Sequence, residues 1–193
     1  TLETLVEADL ARITGFTEAR LLRARYQPGA RAILHVALGP QAGAAEGAIW
    51  FYAGEKAQKL ARRHPDAQFD PTSGGLFQAF PQDHRLPHLA QFVAGADDLA
   101  PRLIGGPARS APELMRYRPG LSATFRWTRA DGQVFFVKQT AETNVTVQAL
   151  AVANLADAAR GRAVSFSPVA GLFPELGLIA YEGAPGLPLE ACL

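Results

Sequence analysis

Only three lysines, Lys56, Lys59 and Lys138, stand among the nineteen basic residues of this 193-residue chain. This suggests a bias toward arginine wherever a positive charge alone suffices. Lysine differs in delivering a compact, strongly hydrated point charge, a form suited to gripping a phosphate. Lys56 and Lys59 lie in a polar stretch with helical spacing and read as a solvated face. Lys138 instead comes near the end of Gln133 to Gln139, an apolar run that reads as a strand. An ammonium on a rigid strand neutralises a phosphate at a fixed point with little reorganisation. Upstream, Pro119-Gly120-Leu121-Ser122 reads as a turn whose glycine lets backbone approach a phosphate closely. The same Pro-Gly pair is also an ordinary hairpin device.

Other chemistry-bearing residues point to less. His84 and His88 are four apart, a spacing that could share a metal on a helix, but Pro87 between them favours a surface loop and no metal site is expected. Asn144-Val145-Thr146 fits a glycosylation pattern that means nothing in a cytoplasmic helix. Cys192, the single cysteine, cannot form an internal disulfide and has no His or Lys beside it to activate its thiol. The aromatics Trp50, Phe51, Phe135 and Phe136 fall in strand-like runs and read as core. Net charge is +1, so the electrostatic footprint required by nucleic acid or an anionic membrane is missing. No apolar run approaches the roughly 20 residues of a membrane-spanning helix. The start, Thr1-Leu2-Glu3-Thr4-Leu5, has no initiator Met and no secretory h-region, and a cytoplasmic setting is expected.

The elements that must position Lys138 come in two copies. Arg25-Tyr26-Gln27-Pro28-Gly29-Ala30-Arg31-Ala32 matches Arg116-Tyr117-Arg118-Pro119-Gly120-Leu121-Ser122-Ala123, each followed by an apolar run. In the first copy Leu21 to Tyr26 and Ala32 to Leu38 predict a hairpin around Pro28-Gly29, with a third strand at Ala48 to Ala53. A helical stretch from Gly54 to Arg63 follows, then a fourth strand at Gly75 to Phe80 and a short helix at Leu86 to Val93. In the second copy strands are predicted at Glu113 to Tyr117, Ala123 to Thr128 and Gln133 to Gln139, with Asp131-Gly132 as a hairpin signal. Glu142 to Arg160 predicts a helix with an apolar stripe at 147, 150, 151, 155 and 158 that should pack on the sheet. Strands at Phe166 to Leu172 and Gly177 to Glu182 complete it. The expected fold is α+β: two tandem modules, each a mainly antiparallel sheet with one principal helix in the order β-β-β-α-β. They are divided near residue 107 into 1–106, with a short N-terminal helix, and 107–193.

A hairpin, a third strand ending in Val137-Lys138, a long helix, and a strand followed by Glu182-Gly183-Ala184-Pro185-Gly186 resemble the small lobe of the protein-kinase-like fold, in its aminoglycoside and choline phosphotransferase branch. The stretch from Phe166-Ser167-Pro168-Val169-Ala170 to Leu187-Pro188-Leu189 is the most specific match. The resemblance covers residues 113 to 193 well and 20 to 95 as a weaker echo. It implies that Gly120, Leu121 and Ser122 form the phosphate loop, that Lys138 grips the α- and β-phosphates of ATP, and that Ala180, Tyr181, Glu182 and Gly183 form the hinge to adenine. It further implies an ATP-dependent transferase acting on the hydroxyl of a small molecule. Magnesium ligands and the catalytic base would come from a large lobe that these residues do not include.

The chain departs from the family in places. The helix glutamate that orients the lysine is represented only by Glu142, close behind Lys138, or by Gln148 near the usual place. In the first copy the lysine position is expected at Tyr52 or Ala53, which makes that copy a degenerate duplicate. No His-x-Asp catalytic loop with its downstream Asn and no Asp-Phe-Gly-like metal site occurs, and the chain stops where the family enters its large lobe. The alternatives are a non-catalytic, pseudokinase-like interaction or regulatory module, and a duplicated α+β domain with no nucleotide site. Exposed sheet edges would be covered by self-association or a protein partner.

Overall fold

The computed structural model describes residues 7–39, 45–140, 145–159 and 166–183. Glu142, Asn144, Cys192 and the stretch 184–189 lie outside the described residues. The fold is α+β, with two five-stranded antiparallel sheets and few helices. By contacts the chain divides into two units, one of residues 1–90 with 118–120, the other of 91–117 with 121–193.

In the first unit, helix α1 (Glu7–Thr14) precedes strands β1 (Ala19–Gln27), β2 (Arg31–Leu38) and β3 (Ala45–Tyr52), followed by α2 (Lys56–Arg63), β4 (Gln68–Asp70) and β5 (Gly75–Ala79). The sheet order is β1-β2-β3-β5-β4. Pro28-Gly29 makes the first turn as its residue types require: Gly29 has φ 69°, and the Ala30 N–H donates to the Gln27 carbonyl at 3.1 Å. β2 is apolar on both faces because both are covered. Leu34, Val36 and Leu38 join Ile49 and Phe77 against Leu10 and Ile13 of α1. Ile33 joins Ala48, Trp50 and Leu76 against Ala57, Leu60 and Ala61 of α2. The edge strand β1 is mostly exposed and carries Arg20, Arg23 and Arg25, charges that discourage pairing with another chain.

The second unit repeats this plan. Helices α3 (Leu89–Ala94), which starts at the boundary, and α4 (Ala96–Leu103) precede β6 (Glu113–Arg118), β7 (Ser122–Thr128) and β8 (Val134–Thr140). Next come α5 (Val145–Ala158), β9 (Val169–Phe173), a 3-10 turn at Pro174–Leu176 and β10 (Leu178–Glu182). The sheet order is β6-β7-β8-β10-β9, the counterpart of the first. Phe92 packs edge-on against Phe125 and Trp127 at centroid distances of 5.0 and 5.9 Å. Gly171 lets β9 approach the Leu103 backbone so closely that a Cβ would collide with it, and Arg102 lies over the Phe173 ring at 4.0 Å.

These contacts tie residues 91–103 to the second sheet. The helices between 91 and 103 carry the apolar side chains that cover the second sheet, as α1 covers the first. Each copy is therefore helix-β-β-β-α-β-β. The short strand β4, absent from the sequence expectation, completes the five. The expected stripe of α5 is not buried: Val147, Leu150 and Leu155 are 54, 59 and 50% exposed, and Val145 at the helix start is the buried anchor.

Candidate functional site

Cross-strand register fixes the surroundings of Lys138. Thr124 of β7, Lys138 of β8 and Ile179 of β10 form one row across the second sheet. Lys138 is half-buried there, and among the described residues no carboxylate lies within ion-pair distance of it. Ser122 pairs with Thr140 and Tyr181 with Phe136, so strand alternation puts Ser122, Lys138 and Tyr181 on the same face. Tyr181 is partly buried, and that burial pushes its hydroxyl pKa up. Ala180 and Glu182 pair with Val137 and Phe135 and belong to the opposite face.

At the end of β10, the Glu182 N–H donates to the Pro168 carbonyl at 3.0 Å and the Gly183 N–H to the Val134 carbonyl at 2.7 Å. A Cβ on Gly183 would come 2.8 Å from that carbonyl oxygen, so the residue type is dictated by close approach. Both of these N–H groups thus have backbone partners. Gln148 is half-buried in α5, which lies against β9 and β10, while Glu142 is outside the described residues. No group of His, Cys, Asp and Glu among the described residues could hold a metal ion.

Gly120 belongs to the first unit, whereas Leu121 and Ser122 belong to the second. Gly120 has φ 65°, is buried, and donates its N–H to Asp83 Oδ2 at 2.7 Å. A Cβ at this position would collide with the Trp50 indole and come 3.1 Å from Arg85 Cδ. The Gly120 N–H thus has a carboxylate partner.

The repeat can now be aligned by structure. Ile33 of β2 pairs with Trp50, and Trp50 with Leu76, the row that corresponds to Thr124, Lys138 and Ile179. Trp50, fully buried, therefore holds the lysine position of the first unit, two residues before the expected Tyr52. Tyr52, paired with Arg31, corresponds instead to Thr140.

Around Trp50 lies a polar network that the sequence did not suggest. His84 Nδ1 is 2.6 Å from Gln78 Oε1, which also accepts the His84 backbone N–H at 3.1 Å. A backbone N–H can only donate, so the shared atom is the amide oxygen, Nδ1 carries the ring proton, and Nε2 accepts from the Tyr52 hydroxyl at 2.7 Å. The imidazole packs edge-on to Trp50 with centroids 4.5 Å apart. Burial, then the charges of His64, Arg85, Lys56 and Arg31, hold the His84 pKa down at about 4. Burial likewise raises that of Tyr52. His84 is therefore no surface-loop histidine. A Pro-flanked histidine in an irregular segment carries no periodicity from which such burial could be read.

With this geometry in hand, comparison with known proteins yields no match among family models, curated proteins or solved structures.

Proposed function

We propose that the second unit is the nucleotide-holding small lobe of an ATP-dependent phosphotransferase acting on the hydroxyl of a small molecule. The observation that carries the proposal is Lys138: a half-buried ammonium at the middle of a five-stranded sheet, with no carboxylate partner among the described residues. Desolvating a cation without a partner is costly, and a polyphosphate would repay that cost. Support also comes from the strand order and from a helix between the third and fourth strands, the arrangement that the kinase-like resemblance calls for. Lys138 would hold the α- and β-phosphates, with Leu121 and Ser122 at the start of β7 and adenine at the end of β10. Magnesium would arrive with the nucleotide, its protein ligands and the catalytic base being supplied from a large lobe outside this sequence.

Calorimetric titration of Mg-ATP into the chain and into Lys138→Met tests this. The expected result is binding that weakens about tenfold or more in the variant, about 1.4 kcal/mol. Absence of binding to the parent, or equal binding by both, overturns the proposal.

A second reading, a non-catalytic regulatory or interaction module, is favoured by Trp50 filling the lysine position of the first unit and by Asp83 holding the Gly120 N–H. It predicts that the chain binds no nucleotide.

A further inference from the structure

In the first unit arginines gather on the face of the sheet that holds Trp50. Arg23 pairs with His35 and Arg25 with Ile33, and Arg31 lies between Gln27 and Tyr52, so alternation puts all three arginines on the face that holds Trp50 and Tyr52. Arg85 joins them from the segment after β5, and Arg118 from the 118–120 stretch that belongs to this unit. Arg25 donates to the Pro119 carbonyl at 3.2 Å. Its pKa is lowered first by burial and then by the charges of Arg31, Arg85, Arg118 and Arg23.

Asp83 accepts the Arg85 backbone N–H at 2.8 Å through one oxygen and the Gly120 N–H at 2.7 Å through the other. Among the described residues none of Arg25, Arg31, Arg85 and Arg118 forms an ion pair with a carboxylate. Arg85 Nη1 and Trp50 Nε1 are both buried donors without an acceptor among those residues. Partly buried like charges and unanswered donors call for an anion with several acceptor oxygens. The planar forks of guanidinium groups fit phosphate geometry better than that of a halide or a single carboxylate.

We propose that the first unit binds a phosphate-bearing small molecule through Arg25, Arg31 and Arg85, a site independent of Lys138. Its ligand chemistry is that of a polyphosphate, free or as part of a nucleotide.

The test is calorimetric titration of the full chain with inorganic pyrophosphate, without magnesium and at fixed ionic strength. Saturable binding is expected in the parent and equally in Lys138→Met, which separates this site from the one proposed above. Arg31→Gln and Arg85→Gln should each weaken it about tenfold or more, the scale of losing a charge-assisted hydrogen bond. Arg126→Gln, an exposed arginine of the second unit near Glu113, should leave it unchanged. If Arg85→Gln fails to fold, Arg31→Gln decides, with a pyrophosphate-induced rise in the parent's Tm as the second readout. ATP titrated against bound pyrophosphate in Lys138→Met identifies the source: one-for-one displacement points to a nucleotide, and lack of displacement to free polyphosphate. Absence of saturable pyrophosphate binding, or undiminished affinity in Arg31→Gln and Arg85→Gln, overturns the proposal.

Discussion

Trp50 and Lys138 occupy the same position of a repeated sheet. Each is the third-strand member of a row, Ile33-Trp50-Leu76 in one unit and Thr124-Lys138-Ile179 in the other. The indole is fully buried under α2, His84 and Gly120, whereas the ammonium is half-buried and without a carboxylate partner among the described residues. One sheet position thus serves packing in one copy and remains suited to charge in the other.

Gly120 and Gly29 are equivalent turn glycines with φ of 65° and 69°, yet their surroundings differ. A Cβ at Gly29 meets nothing within 4 Å, while one at Gly120 strikes the Trp50 ring. Gly29→Ala is expected to cost about 1 kcal/mol, the left-handed backbone penalty alone. Gly120→Ala adds overpacking, for a total of about 3 kcal/mol. Urea unfolding of the two variants measures the difference, and equal costs would contradict the packing of Gly120 on Trp50.

His84 makes stability pH-dependent. Its folded pKa of about 4 lies below the ordinary 6.5, so the unfolded chain takes up the proton first. The contribution is fully present above pH 6.5 and declines as pH falls toward 4, by roughly 2 kcal/mol after allowance for solvent screening. His84→Gln should flatten the stability profile across that window, measured by urea midpoints at successive pH values.

Asp70 acts in a lower window. Burial alone would raise its pKa, but the Ser73 hydroxyl, Arg12 and the Ser73 N–H outweigh it and bring the value down to about 2 from 3.8. A depressed carboxylate contributes stability above its unfolded pKa and loses it as pH falls from about 4 to about 2, at most about 2 kcal/mol. Asp70→Asn is expected to destabilise at neutral pH and to remove that part of the acid transition. An unchanged acid midpoint would rule out the Arg12–Asp70–Ser73 linkage of α1 to the turn after β4.

Helix α5 offers a contrast in burial. Leu150 is 59% exposed and Leu103 fully buried. Leu150→Lys should change unfolding free energy by no more than about 0.5 kcal/mol, and Leu103→Ala should cost about 2–5 kcal/mol. A large loss from Leu150→Lys would mean that this face is covered in solution.

Local sequence by itself determined much of the architecture. The repeated Arg-Tyr-x-Pro-Gly strings fixed two hairpins, because proline and a left-handed glycine leave the chain few other turns. Period-two apolar runs fixed the central strands, and the Lys138 strand was legible because its pattern is local. Tertiary structure decided the rest. That Trp50 and not Tyr52 matches Lys138 depends on cross-strand register, which residue counting along one strand does not contain. The strand β4 is three residues long, too short to show a period. The burial of His84, the capture of the Gly120 N–H by Asp83 and the gathering of Arg25, Arg31 and Arg85 join residues distant in the chain. Such contacts arise only once strands are paired and the segment after β5 closes over the sheet, since no local propensity encodes which side chain will lie opposite another.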